Sequence, residues 1–288
     1  MKEQEALSLW STLLRNGLDL RPTQAVLVEL QRYSGLSLEQ VRTLAERSPL
    51  MTKETWEAGD RSTPEGVQDF YDHVVHWVYG TLAYHARQAE GENVPLPVQA
   101  AAAVDGRPPG DFLDFGAGVA TASLLFAELG WRTTAADVSA PLLDFARWRF
   151  SDRGIRAGVI DLSRERLPEQ AFDVVCAFNT MVHVQNPAAA VRDLERALRP
   201  GGLLIFDVDA RPKASGMPWH LYDRQDPVLR VMGRCGFARR GRLGELHVFE
   251  RQESGALKRT LSGTYDALRY SRIVSTLGAA YRETHWRL

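Results

Sequence analysis

The 288-residue chain holds only two cysteines, no apolar run near the roughly 20 residues of a membrane helix, and no charge excess of either sign. Each shortage excludes a class of protein. Cys176 and Cys235 lie far apart inside apolar segments, so they do not make a disulfide scaffold and read as buried thiols of a reducing compartment. The start, Met1-Lys2-Glu3-Gln4-Glu5, lacks the basic-then-apolar pattern of a signal peptide. A soluble, cytoplasmic protein with no membrane partner is expected. Thirty-five Lys plus Arg stand against thirty-six Asp plus Glu, a formal net charge of −1. That balance lacks the basic surface needed to displace counterions from nucleic acid, so no nucleic-acid partner is expected. With 44% hydrophobic and 25% charged residues, the chain is neither disordered nor fibrous.

What is present divides into three parts: a helical region over 1–105, an α/β core over 106–251 and an extension over 252–288. In the first, Leu7, Trp10, Leu13 and Leu14 recur at helical spacing, as do Val26, Leu27 and Leu30. Ser37 with Gln40 is a capping-box pair for a helix over Leu38-Arg47. Thr63-Pro64 starts another helix, and the run to about Gln88 has no breaker except Gly80, which predicts one long element. At about 100° per residue, Val67, Phe70, Tyr71, Val74, Val78 and Leu82 share a face. Asp69, Asp72, His73, His76, Tyr79, Gly80 and Tyr84 share the opposite one. A mid-helix glycine costs about 1 kcal/mol against alanine, which implies close packing against Gly80. The helix reads either as a two-sided buried element of a helical cap or as a lid contributing Tyr71 or His76 to a pocket. In the extension, seven Lys and Arg from Arg251 onward face three acids, and a helix is expected near Tyr265-Tyr281.

From Asp111 short β-like runs alternate with helical patterns. Strands are expected at Phe112-Phe115, Thr133-Asp137, Gly158-Asp161, Asp173-Asn179, Leu203-Val208 and His247-Arg251. Helices are expected at Thr121-Leu129, Pro141-Phe150, Pro187-Leu198 and Pro227-Cys235. Alternating βα units imply a doubly wound, mostly parallel sheet covered by helices on both faces. The apolar run Val174-Val175-Cys176-Ala177-Phe178 fits its middle.

The informative constellation starts at the first strand. Leu113-Asp114-Phe115-Gly116-Ala117-Gly118 reads as strand and glycine turn leading into a helix, at the strand end where open parallel sheets bind ligands. Asp137 ends the second strand, where its carboxylate can accept from two ribose hydroxyls. Asp161, before Leu162, ends the third. Asp114 stands beside the turn, where an anion would repel a pyrophosphate, and Thr121 replaces the third glycine of the dinucleotide pattern. A ligand with a sulfonium and an amine but no phosphate suits these acids better.

With Ala136-Asp137-Val138, Ile160-Asp161-Leu162, Phe172-Asp173-Val174-Val175, Leu198-Arg199-Pro200-Gly201-Gly202 and Arg234-Cys235-Gly236-Phe237, the sequence resembles the class I S-adenosylmethionine-dependent methyltransferases over roughly residues 111–251. The resemblance implies a seven-stranded sheet and S-adenosylmethionine as cofactor. It implies that Gly116, Ala117 and Gly118 line the methionine and ribose portion, with Asp114 near the amino group. Asp137 would hold the ribose with Val138 against the adenine, and Asp161 with the Leu162 N–H would read the adenine edge. Backbone at Phe178 or Asn179 would face the methionine. Ala120 stands where many members have a third glycine. The segment before the first strand commonly covers the methionine end in this family, which favours the lid. For catalysis the candidates are His183, after the fourth strand, and His76 and Tyr71. Asp207 and Asp209 share one side of the fifth strand's end. With Asn179 ending the fourth strand, the acidic cluster of magnesium-dependent members is missing, and no metal is expected. Three functions stay open: methyl transfer to a small organic O- or N-acceptor, cyclisation of the cofactor to azetidine-2-carboxylate with release of methylthioadenosine, and a non-catalytic cofactor-binding subunit.

Overall fold

The computed structural model describes residues 2–60, 63–212, 217 and 219–253. The helix expected near Tyr265-Tyr281, with most of the extension, lies outside the described residues. Among the described residues six helices precede the sheet: α1 (Glu3–Arg15), α2 (Pro22–Ser34), α3 (Leu38–Ala58), α4 (Pro64–His73), α5 (His76–Ala89) and α6 (Leu96–Ala103). The capping box forms as expected. Ser37 N–H donates to Gln40 Oε1 at 2.9 Å and Gln40 N–H to Ser37 Oγ at 3.2 Å. The helix it opens runs well past Arg47, through Pro49, because its second half is held against α5. There Ser48 Oγ donates to the His76 carbonyl, and a Cβ on Gly80 would overlap the Ser48 side chain.

The single helix expected from Thr63 to Gln88 is two helices. Val74 leaves the helical region at φ −80°, ψ 41°, and its carbonyl accepts from Trp77 N–H at 2.9 Å as α5 begins. The break turns Phe70 and Val74 onto Trp56 of α3, with Tyr71, Trp77, Trp219 and Leu221 around them. The helical faces expected for one straight helix therefore do not hold across the break, and His76 and Tyr79 are buried.

The core adds β1 (Asp111–Phe115), α7 (Thr121–Glu128), β2 (Arg132–Asp137), α8 (Ala140–Asp152), β3 (Gly158–Asp161), β4 (Phe172–Ala177), α9 (Pro187–Ala197), β5 (Leu198–Phe206), α10 (Asp226–Met232), β6 (Phe237–Leu243) and β7 (Leu246–Arg251). The seven strands take the order β3-β2-β1-β4-β5-β7-β6. The first five are parallel, while β7 runs antiparallel to β5 and β6. Strand alternation divides two hydrophobic layers. Phe112, Val174, Cys176 and Ile205 pack on one face, and Leu113, Val175, Ala177, Leu204 and Phe206 on the other. Cys176 is buried in β4, but Cys235 is only partly so, against the reading of two buried thiols.

Trp10, Leu14, Val26, Leu30 and Leu82 of the N-terminal helices share the first layer with Leu124 and Phe145 of α7 and α8. A buried ion triad adds to that seam. Glu29 of α2 accepts from Arg149 Nε and Arg153 Nη2 of α8, both at 2.8 Å. Burial alone would raise the Glu29 carboxyl, yet the two guanidiniums lower it below its ordinary value. Charges withdrawn from water in this way persist only when paired. Among the described residues no helix is long and apolar enough to cross a membrane.

Candidate functional site

A cavity of about 730 Å³ opens at the carboxyl ends of β1, β2 and β4 and reaches under α4 and α5. The glycine turn forms its floor. Gly116 has φ +74°, and a Cβ there would overlap Thr180 Oγ1 and Cγ2, so the two loops meet only through a bare backbone. Gly118 has φ +53°, and nothing lies within 4 Å of where its Cβ would stand. Its N–H donates to Asp137 Oδ2 at 2.8 Å, and Ser139 N–H donates to Oδ1 at 3.0 Å. The carboxylate lines the cavity, where as an acceptor it suits a vicinal diol. Ala120, in the place of the third glycine, holds the left-handed region at φ 55°.

Asp114 is 2% exposed and lines the cavity. Its Oδ2 accepts from Ser123 N–H at 3.1 Å and Ser123 Oγ at 2.8 Å. Burial, with the neighbouring Asp137 adding to it, pushes the carboxyl up to about 7 against those two bonds. Burial also raises Asp137, partly offset by the N–H groups it accepts from. Two buried acids with raised affinity for protons are poised for a cationic ligand, which would stabilise their ionised forms.

On the wall after β4, Asn179 takes φ 51° and its N–H donates to Asp207 Oδ1 at 2.7 Å. His183 follows in a 3-10 turn, Met181–His183. Its Nδ1 lies 3.1 Å from the Trp219 carbonyl. A carbonyl only accepts, so Nδ1 carries the ring proton and Nε2 keeps its lone pair. Burial, and then the ring of His220 5.1 Å away, press His183 down to about 4.

The helices α4 and α5 supply the roof. Gln68 Nε2 donates to the Val138 carbonyl at 2.9 Å, and Ser139 Oγ donates to the Tyr71 carbonyl at 2.8 Å. Both tie α4 to the loop that follows Asp137. Tyr71 lines the cavity, and burial raises its hydroxyl well above the ordinary value. Trp77 stands 6.0 Å from the Tyr71 ring and 6.1 Å from His183, centroid to centroid.

Asp114, Gly116, Ala117, Gly118, Asp137, Val138, Leu162, Phe178, Asn179, Tyr71 and His183 are all brought to this cavity. Three expectations need correction. His76 is not part of the lining. Thr52 Oγ1 gives its proton to the Ser48 carbonyl and already accepts from Trp77 Nε1, so His76 Nε2 donates to it at 3.0 Å inside the α3–α5 interface. The Leu162 N–H donates to the Asp137 carbonyl at 2.9 Å, so only the rest of the residue faces a ligand. Asp161 points to Ser163, whose N–H and Oγ it accepts from, and to Arg164. The lining also includes residues not singled out from the sequence, namely Gln68, Trp77, Thr81, His85 and Gln88. The last four recur along one face of α5, a stripe readable in the sequence once the start of α5 is known.

The geometry is that of a doubly wound domain with a ligand cradle at its glycine turn, and its acids suit a cation rather than a phosphate. Residues 113–206 match the methyltransferase domain family. Over that segment, and in its sheet order, the chain is similar to the class I S-adenosylmethionine-dependent methyltransferases. Among relatives, it is 28% identical over 164 residues to malonyl-[acyl-carrier protein] O-methyltransferase of Serratia marcescens, covering 54% of this chain and 64% of the relative. It is 25% identical over 175 residues to phosphoethanolamine N-methyltransferase 3 of Arabidopsis thaliana, covering 58% and 36%. A solved phosphoethanolamine N-methyltransferase 2 of Haemonchus contortus superposes with a TM-score of 0.48 at 19% identity, covering 59% of this chain and 44% of that one. In each case the match spans less than two thirds of the relative's own length.

Proposed function

We propose that the protein binds S-adenosylmethionine in this cavity and transfers its methyl group to a small organic molecule with an oxygen or nitrogen nucleophile. The observation that carries the reading is one continuous cavity joining the Asp137 carboxylate, the glycine turn with Asp114, and the His183 wall beneath α4 and α5. Its volume of about 730 Å³ falls in the range of small-molecule sites, roughly 300–1,000 Å³. The residues fit the group: a diol acceptor at Asp137, a bare backbone at Gly118, and a buried acid for an amine at Asp114. When bound, S-adenosylmethionine supplies a methyl group on a sulfonium, open to in-line displacement.

The chain's own part is mainly alignment, worth about 7–11 kcal/mol in well-oriented systems. Asp137 and Val138 hold the nucleoside end, and Phe178 and Asn179 bound the methionine part. Tyr71 and Trp77 close the roof and exclude water. His183 stays neutral, with its Nε2 lone pair free to accept a proton from the acceptor. Its depressed basicity places its contribution near the lower end of the roughly 10²–10⁴-fold range for general bases.

Two measurements test the reading. Titration calorimetry should detect S-adenosylhomocysteine binding that Asp137→Ala weakens. No binding at millimolar concentration would remove the assignment. Product analysis with S-adenosylmethionine alone should give no methylthioadenosine, whereas its appearance without an acceptor would replace methyl transfer by cofactor cyclisation. Binding without turnover on any acceptor would leave a non-catalytic subunit.

A further inference from the structure

One cavity-lining imidazole and one buried network have no part in the mechanism above, and they are connected. His85 of α5 lines the cavity, with Nδ1 3.0 Å from Thr121 Oγ1. Thr121, the first residue of α7, is fully buried, and its Oγ1 has a second partner in Arg149 Nη1 at 2.9 Å. Arg149 is itself fully buried, fixed by Glu29 and by the Val119 carbonyl, which accepts from Nη1 at 2.6 Å. A guanidinium only donates, so Arg149 occupies a lone pair of the threonine oxygen. A buried hydroxyl uses its own proton, and of the two partners only the imidazole can accept it. His85 Nδ1 is therefore an acceptor, and the ring's single proton sits on Nε2. Burial and the nearby Arg149 hold the ring down to about 3, so this neutral form persists at all physiological pH.

The same turn of α7 carries Ser123, which holds Asp114. A carboxylate suited to an ammonium and an N–H donor suited to a carboxylate thus flank one helical turn. The cations among the described lining residues, Arg166 and Arg196, come from the loop after β3 and from α9, away from that turn. We propose that His85 donates its Nε2–H to the carboxylate of the ligand's amino-acid tail, and that Thr121 and Arg149 are positioning residues that keep the proton on Nε2. This rests on the reading of the cavity as an S-adenosylmethionine site and adds the residue that selects a ligand with its amino-acid tail over the bare nucleoside.

Calorimetry on the full chain with S-adenosylhomocysteine and with 5′-methylthioadenosine, which lacks the tail, separates the two ends. His85→Phe should weaken S-adenosylhomocysteine by about 10- to 100-fold and leave methylthioadenosine unchanged. His85→Gln, with an amide N–H near the Nε2 position, should recover most of the loss. Nitrogen-15 NMR of the parent should place the His85 proton on Nε2 without titration from pH 5 to pH 8. Thr121→Val, which keeps the volume and removes the hydroxyl, should give mixed tautomers. Equal loss of both ligands in His85→Phe, or a parent protonated at Nδ1, overturns the proposal. A parent that binds neither nucleoside removes the underlying reading of the cavity before any variant is made.

Discussion

Replacing Asp114 with asparagine tests how the site holds its charge. Asp114 is buried against Ser123, and its carboxyl is pushed from an ordinary 3.8 to about 7. A carboxyl with a raised folded value binds its proton more tightly folded than unfolded. The resulting penalty is absent below about 3.8, grows as pH rises toward 7, and is complete above that. The displacement corresponds to about 4 kcal/mol at most. Asparagine can present Oδ1 to the same two Ser123 donors without titrating. Urea denaturation should therefore find Asp114→Asn more stable than the parent, by a margin that widens by about 2–3 kcal/mol between pH 5 and pH 8. Binding should respond the other way. A ligand bearing an ammonium needs the ionised carboxylate, so the parent's affinity for S-adenosylhomocysteine should fall about tenfold per pH unit below 7. In the variant it should be weaker and flat over that window. A stability margin that stays constant from pH 5 to pH 8 would refute the argument that burial governs this acid. A parent affinity that does not fall below pH 7 would separate Asp114 from the ligand's amine.

The remaining predictions concern the wall and the seam. His183→Ala should lower turnover by roughly 10²-fold or more with S-adenosylhomocysteine affinity nearly unchanged in calorimetry, and equal loss of both would make it a structural part of the wall. Glu29→Gln leaves Arg149 and Arg153 without their anion and should cost about 3–5 kcal/mol in urea denaturation. A loss below about 1 kcal/mol would mean that the triad behaves like a surface pair.

The alternation of strands and helices from Asp111 was readable because its signals are local: apolar runs of strand length, proline-marked helix starts and a glycine turn. The strand Phe237–Leu243 was not, since Arg239, Arg240 and Arg242 at the sheet edge hide its period. The break at Val74 has no glycine or proline to announce it. It arises from the pull of Trp56 and Phe70, a tertiary cause. In the site, residues adjacent to the turn could be placed from strand ends alone. The Leu162 N–H could not, because its use depends on how β2 and β3 pair. His85 was invisible for the same kind of reason: its proton is set by Arg149, on another helix and far along the chain.

The seam between the N-terminal helices and the sheet also has a consequence in time. Glu29 finds its partners 120 and 124 residues later, and the Leu13 carbonyl accepts from Arg153 across 140. A ribosome adding about 5–20 residues per second needs roughly 6–25 s to cover the first of those gaps. For most of it, Trp10, Leu14 and Leu30 have no sheet to cover them, and Glu29 waits for Arg149 and Arg153. Helices α1 and α2 are thus made well before the elements that hold them and are among the last to find their places. Strain on their folding should show as aggregation during synthesis rather than as a weak native state, with slower translation worsening it and a chaperone that shields apolar helices relieving it.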